Sequence, residues 1–183
     1  ESFLLGGVFQ FVQQYIRRGS MFFLLAVISY YLVSVIWKII LFFSEKGNRY
    51  CEVEVFFGEK TEEENKPFKT LYLLHGVMGN YTDWVTGTCI KRWAEEKNLA
   101  VVMPSGANMF YMDHPNANEN YSEFIGKELV KITRRMFPLS HKKEDTFIAG
   151  LSMGGYGAIR NGLKYHDTFG YIAGLSSAMI LEK

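Results

Sequence analysis

From residue 70 onward the apolar positions switch between runs and helical spacing, and the switching predicts a series of strands and helices. Residues 70–74 (TLYLL) form an apolar run ending at His75-Gly76, which predicts a buried strand. Residues 89–98 predict a helix, and 99–103 (LAVVM) a second strand, stopped by Pro104. After a loop rich in Asn, Gly and Tyr, residues 122–137 place Phe124, Ile125, Leu129, Ile132 and Met136 at helical intervals. A strand at 146–149 (TFIA), a helix at 154–165 and a strand at 171–175 (YIAGL) complete the series. This alternation predicts a mainly parallel sheet flanked by helices on both faces.

The amino-terminal third admits two readings that compete for residues 36–43. In one, 36–44 and 50–57 are strands joined by a turn at 45–49, where Gly47 and Asn48 suit positive φ. Within CEVEVFF, Val53 and Val55 fall on one face and Glu52 and Glu54 on the other, which predicts a half-buried strand. In the other reading, 19–37 is a membrane-spanning helix and association with a membrane runs through it. That stretch has no charged side chain, carries Arg17 and Arg18 at one end and Lys38 at the other, and is long enough to cross ~30 Å of hydrocarbon. The organisation expected is an apolar extension over 1–38 and one domain over 39–183. The charged run EKTEEENKP, within 58–69, predicts a solvated loop.

Composition narrows the classes of function. Of 183 residues, 48% are apolar and 16% aromatic, which supports one packed core. The formal charge is +1 with basic residues scattered along the chain, so nucleic acid and other polyanions are not expected as partners. Cys51 and Cys89 lack CxxC or metal spacing and read as free, partly buried thiols of a reducing compartment. A cytoplasmic location follows unless the apolar run anchors the chain. Glu1 in place of Met, and an end at Lys183 just after an apolar run, suggest that both ends are cut.

The chemistry is concentrated at Gly150-Leu151-Ser152-Met153-Gly154, directly after a strand and directly before a helix. A strand-to-helix corner this tight forces its central residue into a strained backbone, and side chains two residues either way would collide with it. Glycines at 150 and 154 remove those collisions, and Gly155 and Gly157 are expected to let the helix approach the sheet. Ser152 then stands where the helix amino terminus offers free N–H groups to developing negative charge. The competing reading is an ordinary helix N-cap, for which serine is common. Against it stands a second element, His75-Gly76-Val77-Met78-Gly79-Asn80, at the end of the 70–74 strand. An oxyanion site takes the amide after the nucleophile, here Met153, and one from the loop after the earlier strand, here Val77.

The remaining titratable residues do not complete this set. His75 precedes the serine by a whole sheet segment and reads as a residue that shapes its loop. His114, His141 and His166, like Asp83, Asp113, Asp145 and Asp167, sit where loops or caps account for them.

With LYLLHGVMGNYTDW, LAVVMPSGANMFYMD and TFIAGLSMGGYGAIRNGLKYHDTFGYIAGLSSA, the chain resembles the esterase D-like "putative esterase" family, nearest to bacterial tributyrin esterases. Its relatives include S-formylglutathione hydrolases, feruloyl esterases and mycolyltransferases. The resemblance runs from about residue 43 to the end. It implies an α/β-hydrolase fold that hydrolyses small-molecule esters, short acyl or aryl, with neither cofactor nor metal. It assigns Ser152 as nucleophile and the amides of Val77 and Met153 as oxyanion donors. The loop 105–121, with Phe110, Tyr111 and His114, is implied to border the acyl or alcohol pocket. In that family the acid and the histidine follow strands beyond the present end, so about six of eight strands and an inactive fragment are expected. Acyl transfer on the same fold, or a non-catalytic membrane-associated remnant, are the alternatives.

Overall fold

The computed structural model describes residues 37–44, 49–57, 66–114, 116 and 119–180. These belong to a compact unit beginning at Trp37. The chain opens with β1 (Trp37–Ser44) and β2 (Arg49–Phe57), antiparallel and paired from Trp37 opposite Phe56 to Ser44 opposite Arg49. Residues 37–43 are therefore strand, as the hairpin reading has them, while residue 36 and the turn at 45–48 lie outside the described residues. Residues 19–36 of the predicted membrane helix lie outside the described residues, and Trp37 at its end is the first residue of a strand. Among the described residues no helix is long and apolar enough to cross a membrane.

There follow β3 (Lys69–Leu74), α1 (Asp83–Gly87), α2 (Ile90–Lys97), β4 (Leu99–Pro104) and a two-residue hairpin, β5 (Asp113–His114) with β6 (Glu119–Asn120). A helical stretch then comprises α3 (Tyr121–Glu123), a π-helical turn (Phe124–Glu128) and α4 (Leu129–Met136). Finally come β7 (Thr146–Leu151), α5 (Met153–Lys164) and β8 (Tyr171–Leu175). The main sheet has the order β1-β2-β4-β3-β7-β8, with β4, β3, β7 and β8 parallel and β1 and β2 antiparallel.

One row of side chains crosses this sheet in register: Val55, Val102, Tyr72, Ile148. All four are buried in a core that also takes Leu129 and Val130 from α4 and Met153 and Ala158 from α5. Removing each such side chain from water contributes about 1.5–3 kcal/mol. The alternate positions Phe56, Leu73, Val101 and Met103 are buried as well, on the face where α2 contacts β2 and β4. Glu54 shares that parity and is only 2% exposed, so β2 is covered on both faces rather than half-buried. Of its two glutamates only Glu52 is exposed. The thiols likewise differ from expectation, Cys51 buried and Cys89 exposed.

The π-helical turn changes which residues of its helical stretch face the core. It inserts one residue, so the buried positions run from Phe124 to Leu129 and from Ile125 to Val130, five apart, and continue to Thr133. Met136, predicted as a core position by an uninterrupted helical period, is rotated out and is exposed. The Tyr165 ring packs against this turn at Gly126, where a Cβ would lie 2.0 Å from it.

Candidate active site

Strand order decides where chemistry can occur. The chain leaves β3 toward β4 on one side and returns as β7 on the other, so the carboxyl ends of β3 and β7 open a crevice at a topological switch point. The loop 75–80 leaves β3 at this crevice and Ser152 leaves β7 at it. A Cβ at Gly76 would lie 3.8 Å from Ser152 Cβ, so the chain entering Val77 runs directly beside the serine.

Ser152 has φ 55° and ψ −114°, a backbone conformation that non-glycine residues rarely adopt. Neighbouring elements hold it there. Its N–H donates to Leu175 O at 2.9 Å, and its carbonyl accepts from Tyr156 N–H and Ala178 N–H, both at 3.0 Å. The flanking glycines are required by backbone, though by the backbone of Gly154 and of the end of β3 rather than by the serine as the sequence reading had it. A Cβ at Gly150 would stand 2.3 Å from the carbonyl group of Gly154, and one at Gly154 would stand 2.3 Å from Leu74 O. Gly154 thus lets α5 start against the end of β3. Gly157 differs from expectation, because what its missing Cβ admits is the Tyr111 ring rather than the sheet.

The two predicted amides both belong to segments at this end of the sheet. Met153 opens α5, where the first N–H groups of a helix have no partner within it. In the other loop Gly79 N–H donates to Gly76 O at 3.2 Å and Met78 N–H to Asn108 Oδ1 at 2.7 Å. Of residues 77–79, this leaves the Val77 amide without an acceptor among the described residues.

His75 is built into the scaffold. Its ring is buried; Nε2 accepts from Gly106 N–H at 2.9 Å, so the neutral ring carries its proton on Nδ1 and donates it to Gly76 O at 2.7 Å. Burial lowers its pKa from the ordinary value, against opposing pulls from the Gly76 carbonyl and Asp83. Among the described residues no hydrogen bond joins Ser152 Oγ to a histidine. Sequence order already assigned His75 a loop-shaping part; its partner in the loop after β4, 31 residues on, had no local signal.

Tyr111 also lies deeper than a pocket wall. It is fully buried, its hydroxyl donates to His75 O at 3.2 Å, and its carbonyl accepts from Asn161 Nδ2 at 3.0 Å. Phe110 is half-buried, edge-on to Tyr156. His114, half-buried in the β5–β6 hairpin, pairs with Glu119. Asp113 ties this hairpin down: Oδ1 accepts from Glu123 N–H at 3.0 Å and Oδ2 from Lys164 Nζ at 2.8 Å. A groove of about 430 Å³ edged by Lys127, Lys131, Arg134, Arg135 and His141 lies instead near the amino ends of β7 and β8, away from the serine.

Known proteins share this fold. An acetyl esterase from Caldicellulosiruptor saccharolyticus is 51% identical over 127 residues, 69% of this chain and 47% of that protein. The S-formylglutathione hydrolase FrmB of Staphylococcus aureus superposes with a TM-score of 0.70 at 33% identity, over 80% of this chain and 59% of that one. FphF, a fluorophosphonate-binding serine hydrolase of the same organism solved with substrate bound, gives 0.69 at 33% identity over 78% and 57%. The chain therefore spans about half the length of the curated relative that it matches. A family model matches residues 44–182, from the last residue of β1 to the segment beyond β8, and on that extent the chain belongs to the family described as "Putative esterase".

Proposed function

We propose that the protein of which these residues form a part is a serine carboxylic ester hydrolase for short acyl or aryl esters, with Ser152 as its nucleophile. Ser152 Oγ attacks the ester carbonyl carbon while a histidine outside the described residues takes the hydroxyl proton. The carbonyl oxygen becomes an oxyanion that accepts hydrogen bonds from Val77 N–H and Met153 N–H, each such donor being worth about 3 kcal/mol in the transition state. The alcohol leaves with the proton, the acyl group stays on Ser152, and water releases the acid.

The observation that carries this reading is the Ser152 corner. A strained φ of 55° is maintained by three main-chain hydrogen bonds, next to a loop whose Val77 amide stays uncommitted. A simple N-cap needs neither the strain nor the second loop. The relatives' names point the same way: an acetyl esterase, an S-formylglutathione hydrolase and a serine hydrolase that binds fluorophosphonate. The test uses the full-length polypeptide. It should turn over p-nitrophenyl acetate and be labelled by a fluorophosphonate at Ser152, and Ser152→Ala should abolish both, whereas the 183 residues alone should be nearly inactive. Turnover retained in Ser152→Ala, or a label on another residue, overturns the assignment.

A further inference from the structure

The Val77 N–H belongs to the Gly76–Val77 peptide, so whatever holds the Gly76 carbonyl also sets the direction of that amide. The peptide is trans, and in a planar trans unit the C=O and the N–H point in opposite directions. Little in the local chain fixes this unit, because glycine precedes it and lets the backbone pivot at small cost.

Two donors grip the Gly76 carbonyl. Gly79 N–H reaches it at 3.2 Å from within the same four-residue turn, and would travel with the turn if it pivoted. His75 Nδ1–H reaches it at 2.7 Å, and this bond has an anchor outside the turn. On the far side of the ring Nε2 accepts from Gly106 N–H at 2.9 Å, 31 residues away. A main-chain N–H can only donate, so Gly106 also dictates the tautomer that leaves a proton on Nδ1 for the carbonyl. The surroundings hold the ring in this setting. His75 is 2% exposed, lies edge-on to Tyr111 with centroids 5.8 Å apart, and receives the Tyr111 hydroxyl on its own carbonyl. Tyr111 also packs against Gly106, where a Cβ would lie 2.1 Å from its ring.

We propose that His75 is a positioning residue that fixes the direction of the Val77 amide by holding the Gly76 carbonyl at the opposite side of the same peptide. This rests on the reading of Ser152 as nucleophile and of Val77 N–H as oxyanion donor. Without the Nδ1–H bond the 76–79 turn pivots on Gly76, and the amide is aimed at the oxyanion for only a fraction of the molecules. The loss falls on kcat and on the rate of acylation rather than on KM, because the donor counts most when charge develops on the carbonyl oxygen.

The experiment uses the full-length polypeptide and two substitutions that separate the two hydrogen bonds of the ring. In His75→Asn the side-chain amide nitrogen takes the place of Nδ1 and keeps the bond to Gly76 O, while Gly106 N–H loses its acceptor. In His75→Gln the longer amide reaches the place of Nε2 and keeps Gly106, while Gly76 O loses its donor. Each variant removes one buried hydrogen bond, so a merely structural role predicts equal losses. Positioning predicts fluorophosphonate labelling and p-nitrophenyl acetate kcat lower by about tenfold to a hundredfold in His75→Gln, but within about threefold of wild type in His75→Asn. A crystal structure of His75→Gln should show the Gly76–Val77 peptide displaced from its wild-type orientation. Nitrogen NMR of wild type carrying labelled histidine, which needs no variant to fold, should find the His75 proton on Nδ1. Equal losses in the two variants, a wild-type rate in His75→Gln, an unmoved peptide in its crystal structure, or a proton on Nε2 in wild type would each overturn the proposal. Wild type that is never labelled at Ser152 would instead refute the hydrolase reading, and the peptide orientation and the tautomer would still decide the hold of His75 on their own.

Discussion

Gly154→Ala tests whether backbone contact, rather than local sequence, sets the serine. The added Cβ would stand 2.3 Å from Leu74 O, 2.5 Å from His75 O and 2.7 Å from Leu74 C, all main-chain atoms that no side-chain rotation can clear. The start of α5 and the end of β3 must part by most of an ångström. Overpacking of this kind costs about 1–3 kcal/mol, against which alanine's helix preference returns about 1 kcal/mol. A net loss of about 1 kcal/mol lowers the melting temperature by roughly 2–4 °C for a domain of this size. The effect on chemistry is larger, because the same displacement separates Ser152 from the Val77 amide, and about 1 Å of misplacement costs on the order of a hundredfold in rate. Gly87→Ala is the control: no atom lies within 4 Å of its added Cβ, so stability should hold or rise by up to about 1 kcal/mol. Melting curves and fluorophosphonate labelling of both full-length variants are the assay. Gly154→Ala with wild-type melting and labelling would refute the reasoning.

Two further predictions concern buried titrating groups. Burial holds the His75 imidazole below its ordinary 6.5, so the unfolded chain binds a proton there before the folded one does. The stability it confers is complete above that pH and is lost as pH falls through the lowered folded value. His75→Gln should therefore flatten the decline in melting temperature between neutral and acidic pH, and an unchanged decline would count against the assignment. Burial raises the carboxyl of Glu54 above its ordinary 4.5, so the folded state binds the extra proton and stability falls as pH rises through the folded value. Glu54→Gln should raise the urea midpoint at neutral pH, with the gain fading below about 4.5; no gain at neutral pH would refute it.

Local patterning accounts for much of what was legible. The strand at Tyr171–Leu175 and the strand–serine–helix corner follow from apolar runs, helical spacing and glycines two residues either side of Ser152. The departures have identifiable causes, in a distant packing contact or a break in the helical period. Alternation in β2 placed Glu54 on the solvent face, but α2 packs on that face. An ideal helical period placed Met136 in the core, but the π-helical turn rotates the helix beyond it. Resemblance placed the loop 105–121 beside a pocket without saying which side chain goes where, and the structure seats the Tyr111 ring in the space left by Gly106 and Gly157.

By itself the sequence determined which segments become strands and helices and which residue is the candidate nucleophile, because these depend on neighbours within a few positions. Only the tertiary structure decided that β3 and β7 lie side by side, that Gly154 seats α5 on Leu74 O, and that Asn108 and His75 tie two loops together. Those contacts join residues about thirty to eighty positions apart, where chain periodicity carries no information and strand order, hydrogen-bond satisfaction and steric fit choose the partners.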